Sequence, residues 1–224
     1  MPYKYETHMH TSQVSACAAS SAAEQVRNYK RLGYTGIIVT DHFINGNSRI
    51  PGDLSWEQKM RFFYMGFEAA KYAGGLCGLD VFLGMEFTIR GSDFWTSGIN
   101  LEFLISNPGL DSLPIERYSA LVRGVGGFVA QAHPYREAWY IEYQLPVAPS
   151  LIDCMEVYNS SMSDETNARA LAFAKKHGLP MQSGSDSHAA RNFFPSGIEI
   201  EKKAGCIEDI ISAIKSGGAV CITP

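Results

Sequence analysis

The sequence lacks most of what marks a specialised class of protein. No apolar run approaches the ~18 residues that a membrane span needs. The first ten residues, MPYKYETHMH, contain no apolar segment of the kind a cleaved signal requires. Positive charge is not in excess: 19 Lys and Arg stand against 23 Asp and Glu, for a net charge of −4. With the basic residues scattered, that balance argues against a dedicated nucleic-acid or membrane-surface binder. Five cysteines (Cys17, Cys77, Cys154, Cys206 and Cys221) include no CxxC pair, so neither a disulfide framework nor a zinc ribbon reads out of them. They read as small buried hydrophobes in a reducing compartment. Linkers, composition shifts and low-complexity stretches are also missing, so residues 1–224 are expected to form one domain. A cytoplasmic location is expected.

What is present is a core. Hydrophobic residues make up 46% of the 224 positions, far too many for a disordered chain. Short apolar β-rich runs alternate with helical patterns. Tyr3–Thr7, Gly36–Thr40, Val81–Thr88, Leu101–Ser106, Gly127–Ala132, Cys154–Tyr158, Pro180–Ser183 and Ala219–Ile222 read as strands. Helices are predicted over Ser20–Leu32, from Ser55 to about Gly74, over Pro114–Arg123, from Ser163 or Asp164 to His177, and over Ile207–Lys215. Units of about 32 residues are near the size of one βα unit of a barrel. The predicted class is α/β, a small closed barrel, with an open doubly wound sheet as the alternative.

The six histidines are unremarkable in number and informative in position. His8 and His10 form an HxH pair, and residues two apart on a strand face the same way. His42 closes the second strand in TDH, His133 follows the Gly127–Ala132 run in AHP, and His188 ends the segment SGSDSH. Glu86 and Asp186 accompany them. Five histidines thus gather at the strand ends where α/β folds build their sites. The sixth, His177, ends a helix and complements its dipole. Imidazoles mixed with carboxylates suit Zn²⁺, Mn²⁺ or Fe²⁺. His8, His10, His42, Glu86, His133, Asp186 and His188 exceed the three or four protein ligands of one catalytic zinc. Two or more metals are implied, with Glu86 as the natural bridge.

HxH, TDH, GxE, AHP and a late DxH, in this order from His8 to His188, resemble the PHP (polymerase and histidinol phosphatase) superfamily. Gly126-Gly127 and Glu156-Val157-Tyr158-Asn159 look like the family too. The resemblance implies a distorted (βα)7 TIM-like barrel, two or three divalent metal ions and hydrolysis of a phosphoester by a metal-bridged hydroxide. It implies that His8, His10, Glu86 and Asp186 hold one ion, Glu86 and His133 a second, and His42 with His188 a third. Two departures stand out. The family usually has an Asp or His soon after HxH, where this chain has Thr11-Ser12-Gln13-Val14-Ser15-Ala16. The family commonly has a histidine on the strand after GxE; here Glu102 is the nearest substitute.

Around this set, Asp41 is expected to orient a ligand. Arg136 and Arg191, each three residues after a site histidine, are expected to hold phosphate oxygens. Phe62, Phe63, Tyr64 and Phe67 read as the packing face of a long helix, whereas Phe94-Trp95, Trp139-Tyr140 and Phe193-Phe194 read as loop aromatics near the substrate. A small phosphorylated substrate is expected, with no membrane partner, and the missing basic stripe argues against long nucleic acid. Two rivals remain: an amidohydrolase-type C–N hydrolase, and a degenerate PHP domain kept as a regulatory module.

Overall fold

The computed structural model describes residues 2–142, 145–191 and 193–223. Strands fall at β1 (Tyr3–Met9), β2 (Gly36–Val39), β3 (Asp80–Ile89), β4 (Ser92–Ser97), β5 (Phe128–Gln131), β6 (Cys154–Asn159), β7 (Met181–Gly184), β8 (Gly197–Ile200) and β9 (Val220–Ile222). Helices are α1 (Ala22–Arg31), α2 (Trp56–Cys77), α3 (Leu101–Ser106), α4 (Ile115–Gly124), α5 (Asp164–His177) and α6 (Ile207–Lys215). Their ends follow local chemistry. Ser21 with Glu24 and Ser55 with Gln58 form reciprocal capping boxes. Gly78 and Gly178 close α2 and α5 in the left-handed conformation. Among the described residues no helix is long and apolar enough to cross a membrane.

The strands run in the order β7-β6-β5-β4-β3-β2-β1-β8-β9. The sheet curls until β7 meets β1 again, and the seam has two halves. Near its start, β1 pairs antiparallel with β8 through Tyr3–Tyr5. Near its end it meets the segment after β7, where His10 N donates to Ser187 O at 2.9 Å and Thr7 Oγ1 to Ser183 O at 2.7 Å. Strands β8 and β9 are therefore wedged into the lower half of a barrel that closes directly at its upper half. Gly184 permits the crossing, because a Cβ there would lie 2.5 Å from His8 Cβ. The distorted seven-strand α/β barrel is present, with β4 antiparallel to both neighbours. Helix α6 packs Ile210, Ile211 and Ile214 against Tyr5, Ile38, Trp95 and Phe128, and its Ile211 meets Gly98 just beyond the lower end of β4.

Two expectations fail together. Leu101–Ser106, expected as a strand, is α3. Asn100 caps it by accepting from Phe103 N, and its apolar residues Leu101, Leu104 and Ile105 follow helical spacing rather than alternation. The real fourth strand is Ser92–Ser97, so Phe94 and Trp95 are core residues, 1% and 0% exposed, and not loop aromatics. Arg90 and Gly91, both at positive φ, make the two-residue turn that joins β3 to β4. The cysteine expectation fails as well: Cys154 is buried, but Cys17 and Cys206 are exposed. Phe63 and Phe67 do form a buried face of α2, and Trp139, Tyr140 and Phe194 are exposed.

Candidate metal centre

Each ligand-type side chain leaves the barrel at the same edge. His8 lies near the end of β1 and His10 just beyond it; Asp41 and His42 follow β2. Glu86 sits within β3, bridged to His42. His133 comes two residues after β5, and Asp186 and His188 follow β7. Two of these positions are bent away from ordinary strand geometry: His133 has φ 26° and Asp186 φ 51°. That region is costly for residues with a Cβ and persists where surroundings enforce it. At His133 the enforcing bond is visible, since its N–H donates to Glu156 Oε2 at 2.7 Å.

Glu86 is the hub. Its Oε1 lies 3.1 Å from His8 Nε2 and 3.0 Å from His133 Nε2. Its Oε2 lies 2.7 Å from His42 Nδ1 and 3.5 Å from His10 Nε2. One carboxylate thus presents each oxygen to a different pair of imidazoles. Asp186 Oδ1 stands 3.1 Å from His10 Nε2 and 3.5 Å from His8 Nε2. Donor atoms of His8, His10 and Glu86, of His8, His133 and Asp186, of Glu86, Asp93 and His133, and of His10, His42 and His188 each cluster within 4.8 Å. Inside this cluster His8 Nε2, His10 Nε2, His42 Nδ1, Glu86 Oε2 and Asp186 Oδ1 are buried without a hydrogen-bond partner. Five such atoms aimed at one another are what a set of metal ligands presents, because buried polar atoms otherwise find partners. The residues fit divalent cations.

A second layer fixes which nitrogen of each ring points inward. His8 Nδ1 meets Glu156 Oε1 at 2.9 Å, His10 Nδ1 meets Ser15 Oγ at 3.0 Å, and His188 Nδ1 meets Asp186 O at 2.9 Å. In all three rings Nδ1–H is engaged outward, and Nε2 is left to bind. Asp41, 1% exposed, accepts from Thr11 N and Oγ1 at 2.6 Å and from Ser15 Oγ at 2.7 Å. It holds Ser15 and, through Ser15, His10. Glu6 plays the matching part across the seam, accepting from His8 N, Ser185 N, Ser185 Oγ and Tyr29 OH. Burial raises its carboxyl to about 7.

The electrostatics follow from packing these groups together. Burial opposes ionisation of Glu86, yet the charges of His42 and His8, a hydrogen bond with His133 and the close approach of His42 hold it well below the usual carboxylate range. Burial, joined by the charges of His42 and His188, brings His10 down to about 3, so it is neutral. Burial also lowers His8 and His42, but carboxylates override it: Glu156, Asp186 and Glu86 raise His8, and Glu86 raises His42. Asp93 is raised to about 6, first by burial and then by Glu86.

All seven expected ligand residues converge. Glu102 does not: it is exposed on α3 and belongs to none of the clusters. Asp93 on β4 takes the place sought for it, 3.8 Å from His133 Nε2 and held by Thr88 Oγ1 at 2.6 Å. The Arg-Gly turn ahead of Ser92 is the sequence signal that could have found it. Arg136 is partly buried and feels Asp186, Asp93 and Glu86, whereas Arg191 is exposed and its charge acts on Glu24. Burial works to raise the Cys17 thiol, but interaction with His188 and His42 brings it down to about 6.

The family model described as PHP-associated matches residues 164–218. No curated protein matches the sequence. A two-domain protein from Bacteroides vulgatus ATCC 8482, described as containing a predicted PHP-like metal-dependent phosphoesterase, superposes with a TM-score of 0.75 over 99% of this chain at 15% identity. A lesion-specific endonuclease from Pyrococcus furiosus does so at 0.65 over 99% and 17% identity. An amidohydrolase from Chromobacterium violaceum, with bound sulfate and no metal, reaches 0.59 over 97% of this chain and 98% of its own, at 14% identity. The chain spans 65% of the Bacteroides protein and 58% of the Pyrococcus one. What the solved structures share with it is the fold.

Proposed function

We propose, from the fold and the PHP-associated segment at residues 164–218, that the chain sits in the PHP superfamily and is a metal-dependent phosphoesterase acting on a small phosphate ester. The observation that carries this reading is the division of Glu86, whose two oxygens serve two separate imidazole pairs. A bridging carboxylate of that kind suits a pair of divalent ions, of the zinc, manganese or iron type. When bound, such ions lower the pKa of a water and place positive charge against phosphoryl oxygens. His8, His10, Glu86, Asp186 and His133 would hold the pair, and His42 with His188 a third ion.

The chain's own residues do the rest. Glu156 keeps the His8 ring turned so that Nε2 faces the centre, and Asp41 does the same for His10 through Ser15. Arg136 adds a fixed positive charge whose planar fork suits paired phosphate oxygens. Beside it lies a cavity of about 340 Å³ lined by Arg136, Ser161, Thr166 and Arg169 among others. It opens at the edge of the centre, since Ser161 Oγ donates to Asp186 Oδ2 at 3.3 Å. Its size and hydroxyl lining suit the alcohol part of a small ester. An endonuclease Q of similar fold is described in complex with a duplex substrate carrying an abasic lesion, whereas this chain's net charge of −4, with its basic residues scattered, argues against a duplex. A resemblance to the amidohydrolases would imply a lysine at the bridging position, and Glu86 there disfavours that reading. We further infer a single domain over residues 1–224 and a reducing, cytoplasmic setting in which the thiols stay free.

The test is Glu86→Gln. Removing the bridge should abolish turnover of a small phosphomonoester by more than the 10–100-fold typical of outer-shell changes and leave fewer than two ions per chain by elemental analysis. An unchanged ion count would contradict the assignment.

A further inference from the structure

Asp186 holds φ 51°, a conformation uncommon for a residue with a Cβ, while its carboxylate meets His10 and His8. The residues on either side of it are pinned from two other elements. Ser185 is held by Glu6, whose Oε1 accepts from Ser185 N at 3.0 Å and whose Oε2 accepts from Ser185 Oγ at 2.6 Å. Tyr29 OH donates to the same Oε2 at 2.9 Å and lies 2.7 Å from Ser185 Oγ. Ser187 is held by β1 and by α1. Its N–H donates to His8 O at 3.3 Å and its carbonyl accepts from His10 N at 2.9 Å. Gln25 Nε2 donates to that carbonyl at 3.1 Å and to His10 O at 3.1 Å.

A bulge in β1 makes this possible. Glu6 and His8 are two residues apart, yet Glu6 meets Tyr29 of α1 and His8 faces Glu86. From Glu6 to Met9 the strand has one residue more than β2 has from Ile37 to Val39. Tyr5 therefore packs with Ile38 and Trp95, whereas Met9, in the same alternation, packs with Val26 and Tyr29. Glu6, Gln25 and Tyr29 are fully buried, so water does not compete for their bonds. The two acceptors of Gln25 Nε2 are the carbonyl of one ligand, His10, and that of the residue following another, Asp186.

We propose that Gln25, with Glu6 and Tyr29, is a positioning residue that clamps Ser185 and Ser187 and so holds Asp186 in the conformation that aims its carboxylate at His8 and His10. The clamp stands on geometry alone, and its consequence for ion binding rests on the metal-centre reading above. Two of its three members come from α1, which supplies no ligand. Without it the segment relaxes toward negative φ, and the carboxylate leaves its place beside the two imidazoles. The loss falls on ion binding through Asp186 rather than evenly on the fold.

The experiment compares full-length wild type, Gln25→Met and Tyr29→Phe with the same two substitutions in an Asp186→Gly background. Glycine takes positive φ without strain and brings no carboxylate, so the clamp has nothing left to aim. Competition with a chromogenic chelator should show Zn²⁺ affinity lower by about 10–100-fold in Gln25→Met. Tyr29→Phe should lower it by about 3–10-fold, the loss of one hydrogen bond, and carries the comparison should Gln25→Met not fold. In the Asp186→Gly background each should change affinity by less than about twofold. Equal losses in the two backgrounds, or full affinity in the single variants, would overturn the proposal. Hydrogen exchange of the metal-free proteins is the second measurement. The Ser187 amide in Gln25→Met and the Ser185 amide in Tyr29→Phe should exchange at least about threefold faster, with β2 unchanged. A uniform change, or none, would overturn the clamp. A wild type that takes up no Zn²⁺ would overturn the metal-centre reading instead, and the exchange result would still decide the clamp.

Discussion

At the scale of single residues, the site is decided by what stands behind each ligand. Asp41 touches none of the imidazole nitrogens aimed into the centre, yet it fixes Thr11 and Ser15, and Ser15 fixes His10. Asp41→Asn would keep the volume and break the charge-assisted bonds. Metal affinity should fall by about 10–100-fold, the usual cost of losing an orienting partner, and competition with a chromogenic chelator would measure it. The titration of the rings sets a second expectation. His8, His42, His133 and His188 are all raised, so the metal-free centre carries protons that a cation must displace. His10, lowered to about 3, contributes none. The metal-free form therefore binds more protons than the loaded form, and affinity must rise with pH. Calorimetry in two buffers of different ionisation enthalpy should register proton release on loading near neutral pH. Heats identical in both buffers would contradict it.

At the scale of elements, helix α2 lies against the site from outside. A Cβ on Gly66 would stand 2.2 Å from Asp41 Oδ2 and 2.7 Å from Thr11 Oγ1, whereas one on Gly75 meets nothing within 4 Å. Two glycines of one helix should therefore respond with opposite sign. Gly75→Ala should stabilise by about 0.5–1 kcal/mol through helix propensity, and Gly66→Ala should destabilise by about 1–2 kcal/mol after that gain is offset by overpacking. Urea midpoints would show both, and only Gly66→Ala should also weaken metal binding. The same scale shows what was legible. Capped helices such as α2 and α5 and apolar strands such as β2 carry their signals locally, in Ser55-x-x-Gln58 or an unbroken GIIV. The β3–β4 hairpin does not. Its second strand reads SDFWTS, whose alternation is blurred because both faces are largely covered, and the neighbouring LEFLIS was apolar enough to compete for the assignment. Asp93 was lost with the strand that carries it.

At the scale of the whole molecule, the barrel is a device for bringing segments from residue 8 to residue 188 to one edge. Closure of β7 on β1 places Asp186 beside His8 and His10, and the β8–β9 wedge seals the seam below without covering the site. The acidic net charge thereby acquires a local meaning. Glu86 and Asp186 are buried anions gathered by imidazoles, and under the proposed function bound cations would neutralise them before an anionic ester arrives. The ordered motifs made this convergence readable, because each sits at the end of a strand and the strands of such a barrel share one direction, β4 excepted. The central claim is that two ions around Glu86 act together on a phosphoester. It is tested most directly by following phosphate release from a small monoester while chelator-stripped protein is titrated with Mn²⁺. Turnover should stay near zero through the first equivalent and rise only as the second is bound; full turnover at one equivalent, or in the stripped protein, would contradict the account.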